Sequence, residues 1–79
     1  MPQAIAKMLD GSIQYFGVGG GLPLTVSVED GQQARQISSK LVLLTPTAIF
    51  AGGESHQVMV FDRSKVIEIS IDNKSAFHR

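Results

Sequence analysis

Three residue types that could catalyse hydrolysis occur in the second half of the chain, namely Ser55, His56 and Asp62. Ser55 and His56 are adjacent, and adjacent side chains in an extended strand point to opposite faces. No neighbouring segment is suited to form an oxyanion hole. His56 and His78 are too few and too far apart to bind a metal ion, and the sequence contains no cysteine. The sequence therefore predicts a protein without catalysis, metal or cofactor.

A glycine-rich segment, residues 17–21, invites comparison with phosphate-binding loops. It lacks the G-x-G-x-x-G spacing, because Leu22 occupies the position of the third glycine. It also leads into a predicted strand, so no helix N-terminus follows to receive an anion. We interpret it as a flexible lead-in that permits close approach of the backbone.

The composition favours one small domain that associates with itself. The chain has 79 residues, of which 43% are apolar and 18% charged, and its seven basic residues balance its seven acidic ones. A domain of this size buries only roughly 60% of the surface of its unfolded chain, and partner subunits are a usual remedy. Bulk charge does not favour nucleic acid. Because the sequence shows no membrane-spanning run and no signal-peptide pattern, we expect a cytoplasmic protein with no membrane and no small-molecule substrate.

Turn-forming residues interrupt the sequence at short intervals, as in an all-β meander. They are Asp10-Gly11, Gly19-Gly20-Gly21, Asp30-Gly31, Thr45-Pro46 and Gly52-Gly53. The segments between them are rich in Val, Ile, Leu, Thr and Phe, which favour strands. We predict five strands, at residues 22–29, 32–44, 47–51, 57–61 and 65–71.

The first predicted strand alternates between apolar and polar residues, which is typical of one buried face. The alternation places Leu24, Val26 and Val28 in the core. Asp30-Gly31 then predicts a two-residue hairpin turn. In the second strand, residues 38–40 predict a bulge that bends it.

The fifth predicted strand also alternates. Its pattern predicts that Ile67, Ile69 and Ile71 face the core. Val66 and Glu68 then face the other way.

The fourth predicted strand, residues 57–61, is apolar on both parities after its first residue. A strand of that kind must be covered on both faces. Because so small a chain offers little cover of its own, we expect another subunit to supply it.

Residues 1–21 are consistent with two structures. The apolar residues at positions 4, 5, 8 and 9 have helical spacing, whereas Asp10-Gly11 between two apolar segments also fits a hairpin. We prefer the helix. The predicted organisation is a helix or hairpin with a glycine-rich lead-in at 1–21, a β-barrel at 22–71 and a C-terminal tail at 72–79.

The predicted order of strands and turns resembles that of the Sm/LSm/Hfq family. Residues 22–31, LPLTVSVEDG, are similar to the opening strand and glycine turn of the first Sm motif, especially in its bacterial Hfq form. Residues 57–67, QVMVFDRSKVI, are similar to the second Sm motif, in which two apolar strands flank a short polar turn. Residues 44–49 lack the Asp and Asn that help form the base pocket of Sm and LSm proteins.

The resemblance implies an all-β fold, a small and strongly bent five-stranded Sm-like barrel. In such a family the fourth strand pairs with the fifth strand of a neighbour and closes a homo-oligomeric ring. The implied subunit interface consists of Val58, Met59, Val60, Val66 and Glu68.

The resemblance also implies contacts with nucleic acid. Arg63 and Lys65 would face the pore, where repetition around the ring axis makes a positive collar for phosphates. Phe61 could stack on a base there. Arg35 and Lys40 are candidates for an outer basic patch. The ordinary alternatives are a solvated turn for the cations and core packing for the aromatic ring.

The leading expectation is therefore a ring-forming homo-oligomer that binds RNA or single-stranded DNA without catalysis, with a role in RNA or DNA processing. The alternative is a structural or adaptor oligomer, such as a virion or scaffold component, that uses the barrel for protein–protein assembly. The zero net charge and the missing base-pocket residues favour this alternative. A third hypothesis is a monomeric barrel that recognises peptides through an exposed edge strand.

Overall fold

The protein is built from strands and one turn of 3₁₀ helix. A computed structural model describes residues 3–10, 12–53 and 57–79. These residues form strands β1 (Gln3–Asp10), β2 (Ile13–Gly19), β3 (Leu24–Asp30), β4 (Gln33–Ser39), β5 (Leu41–Leu44), β6 (Ala48–Gly52), β7 (Val58–Asp62), β8 (Val66–Ile71) and β9 (Lys74–His78). The 3₁₀ turn Arg63–Lys65 joins β7 to β8. The predicted all-β class is confirmed.

The described strands form two antiparallel sheets. The first sheet has the order β1-β2-β5-β6-β7, and the second has the order β4-β3-β8-β9. One hydrophobic cluster takes side chains from both sheets, so the core lies between them. Its buried members are Phe16, Leu24, Val26, Val28, Ile37, Val42, Leu44, Ile49, Ala51, Val66 and Ile69.

The first two strands form a hairpin, and the preferred prediction of a helix in this part of the chain is wrong. Asp10 pairs with Ile13 across the turn, and β2 pairs on its other side with β5. Phe16 of β2 is fully buried in the core. The segment forms strands despite the helical spacing of its apolar residues, because β2 forms hydrogen bonds with both β1 and β5 and places Phe16 in the core. The hairpin is therefore part of the first sheet and not a separate lead-in.

The pattern of the first predicted strand is confirmed in β3. Leu24, Val26 and Val28 are all buried. The predicted hairpin follows, with Asp30 paired to Gln33, so the two connecting residues lie one position later than expected. Gly31 has a φ of +67°, a conformation that glycine adopts without strain.

The second predicted strand bends at Lys40, where the chain passes from the second sheet to the first. Lys40 N donates to Gly52 O at 2.8 Å, and Val18 N donates to Lys40 O at 3.0 Å. Its backbone thus continues the ladders of β2 and β6. The predicted disturbance at residues 38–40 is this change of sheet.

A bulge in β8 changes the predicted orientation of its side chains. Ser27 pairs with Glu68 and Val28 pairs with Val66, so Ile67 is the extra residue. Val66 is 1% exposed and belongs to the core, whereas Ile67 is half-buried. The prediction that Val66 faces away from the core is therefore wrong.

The predicted C-terminal tail is a strand. Asp72 and Asn73 both have positive φ, at 53° and 65°, and form a two-residue turn between β8 and β9. Phe77 of β9 packs against the core. Arg79 donates from its backbone N to Ile67 O at 2.9 Å and forms an ion pair with Glu29 at 2.6 Å. The end of the chain is held against the second sheet.

Candidate interaction surface

The residues considered for catalysis and metal binding do not form a described site. Ser55 and His56 lie outside the described residues. Among residues 3–10, 12–53 and 57–79, no group of three His, Cys, Asp or Glu side chains could hold a metal ion. No helix in the same segments is long and apolar enough to cross a membrane.

Arg63 is engaged in contacts within the fold. Its Nη1 donates to Thr45 O at 2.8 Å, and its guanidinium carbon lies 4.9 Å from the centroid of the Phe77 ring. Lys65, two residues later, is exposed. The two predicted pore cations therefore have different surroundings: the Arg63 side chain makes contacts within the fold, and the Lys65 side chain is exposed to solvent.

Asp62 caps the 3₁₀ turn that carries both cations. Its Oδ1 accepts hydrogen bonds from Ser64 N and Ser64 Oγ, each at 3.0 Å. These bonds, the backbone one first, together with the charge of Lys65, hold the pKa of Asp62 below its ordinary value of 3.8. The carboxylate is thus charged and fixed in place at neutral pH.

The other candidates for nucleic-acid contact lie apart from one another. Phe61 is half-buried and packs against the core. Arg35 is exposed on β4, and Lys40 is half-buried at the crossover, roughly 16 Å away at the usual rise of a strand. Lys40 and Arg63 lie at opposite ends of β5. The structure does not bring the predicted basic residues into one patch.

Strand β7 is apolar on both faces, and the two faces have different surroundings. It lies at one edge of the first sheet. Met59 and Phe61 point inward and pack against the core. Val58 and Val60 point outward and are 60% and 56% exposed. One face of this strand is therefore covered by the chain itself, and the other face is bare.

The remaining residues of the predicted interface belong to β8. This strand lies inside the second sheet, between β3 and β9. The side chain of Val66 is buried in the core of its own chain and is 1% exposed. Glu68 is half-buried and pairs with Ser27 and His78. The predicted interface is thus divided between an open edge and an internal strand.

The bare side of β7 continues across the whole first sheet as a set of outward apolar side chains. Two rows of paired positions cross the sheet. One row is Ile5, Gly17, Leu41, Gly52 and Val58. The other row is Lys7, Tyr15, Leu43, Phe50 and Val60, so it is apolar or aromatic on every strand except β1. We call this surface, consisting of Ile5, Tyr15, Leu41, Leu43, Phe50, Val58 and Val60, the apolar face.

Two glycines in the apolar face are covered by its own side chains. A Cβ at Gly17 would come within 2.6 Å of the Tyr15 hydroxyl, so the Tyr15 ring lies over that glycine. A Cβ at Gly52 would lie 3.5 Å from the Leu41 side chain. These larger side chains occupy space above the two glycines, while a shallow pocket remains between Ile5, Tyr15 and Gly17.

The apolar face is large for a chain of this size. Ile5 is 47% exposed, Leu41 44% and Phe50 36%, in addition to the two valines of β7. Together these side chains leave on the order of 400 Å² of apolar surface, which is within the roughly 300–600 Å² of the largest patch on a typical monomer, a patch that is often functional.

Sequence reasoning found only the β7 part of this surface. Ile5, Leu41 and Phe50 were not predicted as interface residues. A signal was present, because residues 41–44 are apolar on both parities in the same way as residues 58–61. The two segments are separated in the sheet only by β6, which pairs with both.

Comparison of the chain with protein-family models, with curated proteins and with solved structures gives no match.

Proposed function

We propose that this chain is a non-catalytic assembly module that associates with further copies of itself through the apolar face, as a structural or adaptor component of a homo-oligomer. The observation that carries the proposal is β7, whose Met59 and Phe61 pack on the core while Val58 and Val60 stay more than half exposed. In an isolated chain this arrangement exposes apolar surface to water, and no contact within the chain offsets the unfavourable free energy of that exposure.

The area of the apolar face is sufficient to drive association. Burying on the order of 400 Å² on each of two copies contributes roughly 20 kcal/mol at about 25 cal/mol per Å². Association costs roughly 4–15 kcal/mol in lost translational and rotational freedom. The two faces together bury about 800 Å² of apolar surface, and the lower end of stable interfaces is about 1,200 Å² in total, so the rim of the sheet would have to take part in the contact.

A second copy is the partner that the chemistry of this face fits best. On β2, β5, β6 and β7 both rows of the face are uncharged. A two-fold contact needs one patch that is complementary to itself, and the uncharged apolar surface of these four strands meets that condition.

The Sm-type ring is a different mode of self-association, through strand edges and not through the apolar face. It pairs β7 with the fifth Sm strand of a neighbour, which corresponds here to β8. Because β3 and β9 flank β8, such pairing requires β9 to leave its place. Packing through the apolar face requires no strand to move, and we prefer it for that reason.

Binding of single-stranded nucleic acid is a second candidate function. It is favoured by Phe50, which is 36% exposed on an open sheet face, with Tyr15 half-buried in the same row. Aromatic rings on a sheet surface can stack on unpaired bases. The exposed side chains of Arg35 and Lys65 would add phosphate contacts.

Sedimentation of the full chain tests the assembly. At micromolar concentration we expect dimers or larger species, and we expect the double variant Val58→Lys/Val60→Lys to be monomeric, because it places charges on the apolar face. The matched control is Ala34→Lys/Gln36→Lys, which alters two exposed outward positions on β4, an edge strand of the second sheet. The control should assemble like the unmodified chain.

Two results would overturn the proposal. One is an unmodified chain that remains monomeric at concentrations of about 100 µM, well above the micromolar range of weak specific complexes. The other is equal loss of assembly in both double variants. If only the monomer binds single-stranded RNA, and Phe50→Ala abolishes that binding, the second candidate function replaces the first.

A further inference from the structure

Four strands lie at the edges of the two sheets, and three of them carry features that discourage pairing with another chain. The edge strands are β1 and β7 in the first sheet and β4 and β9 in the second. β1 contains Lys7 and a register shift, β4 carries the exposed Arg35, and β9 contains Lys74 and a register shift. Charged side chains and bulges on an edge hinder the addition of a further strand.

Strand β7 lacks these features. Its sequence is VMVFD, and its register with β6 is regular over all five residues. Its charged residue, Asp62, stands at the end of the strand, where the carboxylate accepts hydrogen bonds from Ser64. Among the edges that the structure describes, β7 is therefore the one open to pairing with another strand.

The backbone of β7 turns alternate residues towards β6. Before the strand, Gln57 O accepts from Gly53 N at 3.2 Å, and after it, Arg63 N donates to Thr47 O at 3.0 Å. Because hydrogen-bonded and non-hydrogen-bonded positions alternate in an antiparallel ladder, the residues of odd number in this segment bond to β6.

The residues of even number in β7 therefore turn their backbone groups to the open edge. These are the N–H and C=O groups of Val58 and Val60 and the N–H group of Asp62. No strand of the described residues pairs with that side of β7.

We propose that β7 pairs antiparallel with β7 of a second copy, about a two-fold axis at Val60. In this register the whole of each strand takes part. Val60 exchanges both of its backbone hydrogen bonds with its counterpart, and the Asp62 N–H of each copy donates to the Val58 carbonyl of the other. β9 stays in place, because the contact does not involve β8.

The same register suits the side chains on both faces of β7. On the inner face, Met59 lies opposite Phe61 of the second copy, and a thioether beside an aromatic ring is a favourable pair. On the outer face, Val60 lies opposite its counterpart, which covers side chains that are 56% exposed in one chain.

A second copy fits this edge better than an extended peptide does. Its β7 is already held as a strand by β6, so it loses little backbone freedom on pairing, whereas a peptide would lose that freedom for every residue that it orders.

Amide hydrogen exchange of the ¹⁵N-labelled full chain tests the edge. Ala34 follows the closing pair of the β3–β4 hairpin, so its amide also points to an open edge and serves as an internal reference. We expect the protection factor of the Val60 amide to be at least about tenfold that of Ala34 and similar to that of Met59, whose amide bonds to β6.

A sample that mixes ¹³C-labelled and unlabelled chains tests the register. In the proposed pair, Met59 and Phe61 of the second copy occupy a non-hydrogen-bonded position, with Cα atoms about 4.5 Å apart. Within one chain the same two residues lie about 7 Å apart along the strand. We expect a nuclear Overhauser contact between their Hα atoms across the two copies.

Three variants isolate the edge. Val60→Pro removes the outward N–H and keeps the ladder to β6, and we expect it to lose the contact between copies. Ala34→Pro, the same change on the edge of β4, should keep that contact. Leu41→Gln/Phe50→Gln reduces the apolar face and leaves β7 unchanged, so it should keep the contact as well.

A protection factor of Val60 equal to that of Ala34 would overturn the proposal, whether or not sedimentation shows assembly through the apolar face. Protection of Val60 without the contact between Met59 and Phe61 would assign the edge to another occupant and would also overturn it. Retention of the contact in Val60→Pro, or its loss in Leu41→Gln/Phe50→Gln, would show that the edge does not pair by itself.

Discussion

The guanidinium carbon of Arg63 lies 4.9 Å from the centroid of the Phe77 ring, while its Nη1 donates to Thr45 O at 2.8 Å. Phe77 belongs to the second sheet, and Thr45 lies between β5 and β6 of the first sheet. The half-buried Arg63 side chain therefore contacts both sheets, at the end of β5 opposite the crossover.

Replacement of Arg63 tests this link. We expect Arg63→Gln to lower the free energy of unfolding by about 1–2 kcal/mol, because it loses a charge-assisted hydrogen bond and a cation–π contact. Lys65→Gln, a change of an exposed neighbour, should remain within about 0.5 kcal/mol. Urea unfolding of both variants gives the comparison. Equal effects would show that the contacts of Arg63 contribute nothing specific.

The bulge in β8 makes Val66 a core residue, and truncation tests its placement. We expect Val66→Ala to cost about 2 kcal/mol, because the removed methyl groups leave a void in the core. Val60→Ala should cost less than about 0.5 kcal/mol when measured at a concentration at which the chain is monomeric. A smaller cost for Val66→Ala than for Val60→Ala would mean that the Val66 side chain does not lie in the core.

The cap of the 3₁₀ turn predicts a dependence of stability on pH. The pKa of Asp62 is lowered in the folded chain, so its contribution is present above the ordinary value of 3.8 and is lost as the pH falls through the folded value. Asp62→Asn should therefore show a smaller fall in melting temperature between about pH 5 and pH 2 than the unmodified chain. Ser64→Ala, which keeps the backbone donor, should be intermediate. Parallel curves for the three proteins would contradict this account.

The turn between β8 and β9 depends on residues that accept positive φ. Asn73 has a φ of 65°, which asparagine tolerates and a β-branched residue does not. We expect Asn73→Val to lower the free energy of unfolding by about 1–2 kcal/mol and Asn73→Gly to leave it nearly unchanged. Thermal unfolding measures both. A stable Asn73→Val variant would mean that the turn between β8 and β9 does not form in solution.

The sequence predicted strands well wherever a single rule of alternation applied. In β3 the positions of Leu24, Val26 and Val28 follow directly from the pattern. The alternation predicted the wrong orientation for Val66 in β8, because the bulge at Ile67 changes which side chains face the core. No residue type near Ile67 indicates that bulge. The predicted tail at 72–79 omitted β9 and its Phe77, although Asp72-Asn73 directly after an alternating strand is typical of a hairpin turn.

The candidate surface was predicted only in part for a different reason. Residues 58–61 are apolar on both faces of their strand, which shows that both faces need to be covered. This pattern does not show which other strands contribute to the exposed face. That depends on sheet order, which brings Leu41 and Phe50 beside β7. Ile5 was missed for the same reason. The preferred helix followed from the spacing of apolar residues within the segment, whereas the hairpin forms because β2 pairs with β5, which that spacing does not show.

The order of strands also bears on how the chain reaches its fold during synthesis. The hairpins β1–β2, β3–β4 and β8–β9 are local, but β3 must pair with β8, which places Leu24 beside Ile71 near the end of the chain. Such distant pairing slows folding. On the ribosome, one edge of β3 therefore remains unpaired until β8 has emerged, and during this interval the nascent chain is most exposed to aggregation.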